Sequence, residues 1–147
     1  NIEFNLSHSN SMALLAMGTD KALGVDIEHI QSRTAAEKIA SRFFSPQEVE
    51  VFMAQPVEQR ESTFFRCWTR KEAYLKAVGA GLSFPLKEFV VSLAPGDSPA
   101  LLKHFQTASE LARWTVHDLF DSQLTDFQAA LFTEEQAPEI SAFHVPY

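Results

Sequence analysis

Apolar side chains recur at two periods along this chain, and the change of period marks its elements. Ile2, Phe4 and Leu6 alternate with Glu3, Asn5 and Ser7, which predicts a strand with one buried face. A short apolar run follows at 12–17, then turn residues Gly18, Thr19, Asp20 and Lys21. Leu23, Val25 and Ile27 alternate with Gly24, Asp26 and Glu28, so 22–28 reads as the second strand of a hairpin. The period then lengthens. Thr34 with Glu37 forms a capping box opening a helix through about Phe43, and Ser45 with Glu48 forms another, with Pro46 at the first helical position. Val49, Phe52 and Met53 are expected to face inward there, and Pro56 ends that helix. Phe64, Trp68, Leu75 and Val78 predict a long amphipathic helix from near Ser62, stopped by Gly79 and Gly81 with Pro85 beyond.

After that helix the pattern returns to strands. Phe89, Val91 and Leu93 alternate, 95–99 is a Pro- and Gly-bearing loop, and 112–118 with 127–133 reads as a hairpin joined through Asp121, Ser122 and Gln123. Residues 101–110 fit neither period, and 140–145 reads as an edge strand or a tail. The expected fold class is α+β: an antiparallel sheet of three or more strands with helices packed on one face. The whole chain, 1–147, is expected to be a single domain.

Composition narrows the function. A hydrophobic content of 46% with 13 Phe describes a globular chain. No apolar run approaches the ~20 residues that span a bilayer. The single cysteine, Cys67, allows no internal disulfide, fits a reducing cytoplasm and reads as a packing residue. A net charge of −7 argues against general nucleic-acid binding. Against that background Arg66, Arg70, Lys71 and Lys76 form a basic cluster on the long helix, which suggests a small anionic ligand or an acidic partner surface.

Two sets of carboxylates carry candidate chemistry. Asp26 and Glu28 are two apart on one strand face, about 6.5 to 7 Å apart at the backbone, where their side chains can converge on one divalent ion or simply be solvated. Oxygen donors of this kind suit Mg2+ or Mn2+. Glu72 and Lys76 are one helical turn apart, beside the apolar stripe; an ordinary surface ion pair is the alternative. His29 reads as a loop histidine, while His104, His117 and His144 lack the spacing of a metal site. Trp114 reads as core, and Trp68 as core holding the long helix against the sheet.

Taken together, FNLSHS at 4–9, GVDIE at 24–28 and FFRCWTRKEAYLKAVGAGL at 64–82 resemble the 4′-phosphopantetheinyl transferases, specifically the larger surfactin-synthetase-activating type. The motif resemblance covers roughly residues 2 to 92. It implies that Asp26, Glu28 and Glu72 bind Mg2+, with Glu72 also the acceptor of a serine proton. Lys76 would contact the coenzyme A phosphates and act in catalysis, Lys71 would add positive field at the cofactor, and Ser7 and His8 would contact its 3′-phosphate. The implied activity moves 4′-phosphopantetheine from coenzyme A to a serine of an apo carrier protein, leaving 3′,5′-ADP, in the cytoplasm and without nucleic acid or membrane. Members of this type resemble two similar halves joined in one chain, and this chain looks like the second half. A missing N-terminal half or a homo-oligomer would then complete the site. The alternative is a non-catalytic half-site that binds a carrier protein or a partner half.

Overall fold

The computed structural model describes residues 1–32 and 35–145. The chain opens with a hairpin, β1 (Ile2–Ser9) and β2 (Met12–Thr19), paired antiparallel from Ile2 with Thr19 to Ser9 with Met12. Asn10 makes the turn at φ 53°, a left-handed conformation that its short polar side chain tolerates. The partner expected for the 22–28 strand is therefore wrong. β3 (Leu23–His29) pairs with β7 (Phe127–Thr133), and β7 also pairs with β6 (Thr115–Asp118), giving the antiparallel order β3-β7-β6. A third pair joins β4 (Phe89–Val91) to β5 (Leu101–His104), which resolves part of the segment that fits neither period. Residues 140–145 carry no regular structure.

Helix α1 (Ala36–Phe43) is followed by α2 (Pro46–Ala54) and by α3 (Val57–Val78), 22 residues long. The capping role expected of Thr34 lies outside the described residues. The second capping box is present: Ser45 Oγ accepts the Glu48 N–H at 3.2 Å, and Glu48 Oε2 accepts the Ser45 N–H at 2.9 Å. Helix α3 starts five residues earlier than its apolar period suggests. Pro56 at its N-cap ends the preceding segment and opens this helix, whose first residues, 57–59, are exposed and carry no apolar stripe. Gly79 closes it at φ 67°, as its position predicts. A four-residue helix, α4 (Glu110–Arg113), leads into β6.

Helix α3 lies across the β3-β7-β6 sheet, and Gly24 shows how closely. A Cβ there would meet the Ala73 carbonyl oxygen at 2.2 Å and the Ala77 nitrogen at 2.3 Å. The first residue of GVDIE is thus a glycine because helix backbone occupies the space a side chain would need. The core between these layers gathers Phe52, Phe64, Phe65, Tyr74, Leu75, Phe89, Trp114 and Phe132. Each buried aromatic of this kind contributes roughly 1.5–3 kcal/mol. Cys67 is fully buried among them, and burial raises its thiol well above the ordinary range, in keeping with a packing role. Trp114 is core as expected. Trp68 is half-buried and stacks on Phe64 and against Phe43, so it ties α3 to α1 rather than to the sheet. Met53 is exposed, and Glu48 takes an inward position instead.

The hairpin inverts its expected orientation. Ile2, Phe4 and Leu6 are 68%, 69% and 56% exposed, whereas Ser7 is buried. Leu15 and Met17, opposite Leu6 and Phe4, extend the exposed apolar face. The polar face of β1 is the one turned toward β3.

Candidate active site

Because α3 crosses β3 at Gly24, the next two residues on that strand face, Asp26 and Glu28, look along the helix. Lys76 donates to Asp26 Oδ1 at 2.8 Å and to the Val25 carbonyl at 3.1 Å. Two of its three hydrogens are so engaged, which leaves one for another acceptor. Ser7 Oγ also donates to Asp26 Oδ1, at 3.0 Å, and Ser9 Oγ donates to Glu28 Oε2 at 3.3 Å. Among the described residues, the second oxygen of Asp26, Oδ2, is buried without a hydrogen-bond partner, and so is Oε1 of Glu72.

These two orphan oxygens belong to acids that repel one another. Burial pushes the Asp26 carboxyl up from 3.8 to about 6, the nearby charge of Glu28 adds to that, and the bond and charge of Lys76 oppose it. Burial also raises Glu72, followed by the charge of Asp26; Lys76 opposes and Glu28 adds. An unpaired buried carboxylate oxygen costs free energy that a bound cation would offset. All three acids offer hard oxygen donors, the chemistry of a Mg2+ or Mn2+ site. Among the described residues no group of three His, Cys, Asp or Glu side chains is already drawn together tightly enough to hold a metal ion by itself. That is compatible with Mg2+, which is commonly held by one or two carboxylates with substrate phosphates and waters completing the shell.

The other expected site residues divide. His8 is exposed on the hairpin, open to an anion. The Ser7 hydroxyl is turned inward, spent on Asp26 and on the Ile27 N–H, which it accepts at 3.2 Å. Lys71 does not reach the acids. Its ammonium is fully buried, 2.9 Å from Glu48 Oε1, and donates to the Leu86 and Phe89 carbonyls at 2.6 Å each. Its neighbours on the helix are also claimed by the interior. Arg70 grips both oxygens of Asp118, at 2.9 and 2.6 Å, and donates to Ser92; Arg66 donates to the Leu93 carbonyl at 3.0 Å. The basic cluster expected on α3 is therefore dispersed around the helix, with Lys76 alone among those four beside Asp26. Sequence reasoning missed Ser9 and Asn5. The alternation Asn5, Ser7, Ser9 was the available signal, obscured by assigning the buried side to the apolar residues.

The α+β domain thus brings the α3 glutamate, Glu72, within electrostatic reach of Asp26 and Glu28 on β3, with Lys76 bonded to Asp26. The chain belongs to the 4′-phosphopantetheinyl transferase superfamily, whose family model matches residues 22–137. It is 44% identical over 100 residues to the 4′-phosphopantetheinyl transferase HetI of Nostoc sp., covering 68% of this chain and 41% of that protein. It is 36% identical over 90 residues to the 4′-phosphopantetheinyl transferase Sfp of Bacillus subtilis, covering 61% of this chain and 39% of that protein. The chain thus spans about two fifths of the length of these relatives. In fold it resembles the holo-[acyl-carrier-protein] synthase of Thermotoga maritima, with a TM-score of 0.57 at 23% identity over 76% of this chain and 61% of that one. The expected α+β class stands.

Proposed function

We propose that this chain carries the metal-binding and proton-accepting side of a Mg2+-dependent transfer of 4′-phosphopantetheine from coenzyme A to a serine of an apo carrier protein, giving 3′,5′-ADP. Family membership supports the reaction class, and one observation supports the assignment of residues: Asp26 and Glu72, near enough for the charge of Asp26 to raise Glu72, each keep a buried oxygen with no partner among the described residues. Asp26, Glu28 and Glu72 would hold the ion, which supplies neutralisation of pyrophosphate charge. Glu72, with its affinity for a proton raised by burial, is suited to take the proton of the attacking serine, directly or through water. The third hydrogen of Lys76 is available to a phosphate oxygen on the leaving side. His8, exposed on the hairpin, is the candidate contact to a 3′-phosphate. Lys71 is left out of the cofactor set because its charge is already neutralised inside the core.

The test is to incubate the chain with apo carrier protein, coenzyme A and Mg2+ and to weigh the carrier. A gain of one phosphopantetheine is expected, and its absence counts against a complete site. A second reading is favoured by the exposed apolar face of the hairpin: a half-site that binds a carrier protein or a partner half without catalysis. Calorimetry with coenzyme A and Mg2+ separates the two. Binding by the 147-residue chain supports the first; no binding supports the second.

A further inference from the structure

Strand β1 meets the acidic strand through a repeated contact. Asn5 Oδ1, Ser7 Oγ and Ser9 Oγ accept the N–H groups of Val25, Ile27 and His29 at 3.0, 3.2 and 3.0 Å. β3 is an edge strand of its sheet, and these N–H groups lie on the edge away from β7. Side chains rather than a neighbouring strand's carbonyls thus satisfy that edge.

The two serines do something more that Asn5 does not. Each accepts one backbone N–H and donates its single hydrogen to the carboxylate one residue earlier: Ser7 to Asp26 at 3.0 Å, Ser9 to Glu28 at 3.3 Å. A hydroxyl whose hydrogen and lone pair are both committed has no freedom to rotate. The same clip therefore occurs twice, two residues apart on β1 and two residues apart on β3. Both serines lie before residue 22, outside the stretch matched by the family model.

We propose that Ser7 and Ser9 are positioning residues that fix Asp26 and Glu28 before a cation arrives. This rests on the divalent-ion reading given above. Asp26 and Glu28 repel; Lys76 also holds Asp26 Oδ1, but from the helix, and only the serine hydroxyls tie both carboxylates to β1 and keep them from turning apart or toward water. By tying one oxygen of each carboxylate to β1, the serines restrict that motion as part of folding, so less ordering remains to be done when the ion binds. In Asp26 the tied oxygen is Oδ1, and Oδ2 is the one left without a partner.

The experiment is Mn2+ binding to the 147-residue chain by calorimetry, with neither coenzyme A nor carrier protein present, alongside urea denaturation of each variant. Wild type is expected to bind, and Asp26→Asn to lose binding. Ser9→Ala and Ser7→Ala should each weaken Mn2+ binding about tenfold or more, the scale usual for groups that orient metal ligands. Ser9→Thr, which keeps the hydroxyl and suits a strand, should restore wild-type affinity. Asn5→Ala is the control. It removes the same kind of bond to the β3 backbone but touches no carboxylate, so it should lower stability and leave Mn2+ affinity unchanged. Ser9 is only partly buried, so its variant remains informative if Ser7→Ala fails to fold. Unchanged affinity in Ser9→Ala beside loss in Asp26→Asn overturns the proposal and leaves the ion reading intact. An equal loss in Asn5→Ala also overturns it, because the ladder would then act through stability alone. A folded wild type that binds no Mn2+ defeats the ion reading and the proposal together.

Discussion

Helix α3 carries two lysine–carboxylate pairs that differ in completeness. Lys71 and Glu48 are both fully buried, and every hydrogen of the ammonium has a partner: Glu48 Oε1, the Leu86 carbonyl and the Phe89 carbonyl. The carboxylate is equally occupied. Its Oε1 also accepts the Val91 N–H at 2.8 Å, and its Oε2 closes the cap of α2. One side chain thereby ties α2, α3 and β4 together. Just over a turn later, Lys76 and Asp26 form a pair in which Lys76 keeps 28% of its side-chain exposure and Asp26 Oδ2 keeps no partner. The first pair has no capacity left for a ligand. The second is unfinished, and the buried Glu72 oxygen beside it is unfinished too. A saturated ion pair organises a fold, whereas an unsaturated one marks where an outside group can bind.

The largest effect should come from breaking the saturated pair. Lys71→Met leaves Glu48 charged, buried and missing its counter-ion, which costs about 3–5 kcal/mol. Urea denaturation should show that loss. A much smaller loss would mean that this pair does not hold the fold together.

Breaking the unfinished pair should cost activity instead. Asp26→Ala or Glu72→Ala should lower phosphopantetheine transfer about a hundredfold or more, as loss of a charge-stabilising group does. Circular dichroism should still show a folded chain, so the loss would not come from unfolding. A variant transferring at close to the wild-type rate would refute the assignment of these acids.

A pH comparison sharpens the contrast. The folded-state pKa of Asp26 is about 6, above its ordinary 3.8, so the folded chain holds this proton more tightly than the unfolded chain. Its burial therefore costs nothing below about pH 4, and the cost grows as pH rises toward and past 6, to the order of 3 kcal/mol. Asp26→Asn should escape that cost. In metal-free buffer its stability relative to wild type should rise between pH 4 and pH 7, as read by urea midpoints. A difference that does not change with pH would mean Asp26 is not strained by burial. The smallest effect belongs to the cap: Ser45→Ala should cost about 1 kcal/mol and leave Mn2+ affinity unchanged, because it loosens Glu48 and not Asp26.

Local rules carried much of this fold. The capping box at Ser45, the glycine stop at Gly79 and the strand at 127–133 each depend on groups a few residues apart, and each is present. The strand at 22–28 was legible, but its partner was not. Alternation tells which residues share a face; it does not tell which of two distant strands supplies the hydrogen bonds. Reading β1 as apolar side inward failed for a related reason. Its serines and asparagine satisfy the bare edge of β3, and that need outweighs burying Ile2, Phe4 and Leu6 within this chain. Likewise, Arg66, Arg70, Lys71 and Lys76 form one cluster when counted along the sequence, yet four residues spread over three turns of a helix look in different directions.

By itself the sequence determined most of the elements, the motif residues and the family, because periodicity, caps and side-chain chemistry are local or residue-specific properties. Only the tertiary structure decided which lysine is spent inside the fold and which keeps a hydrogen free for another acceptor. That choice turns on where distant acceptors lie. Glu48, Leu86 and Phe89 converge on Lys71 and use up its charge, whereas Asp26 and Val25 take only part of Lys76 and leave the acids around it incomplete.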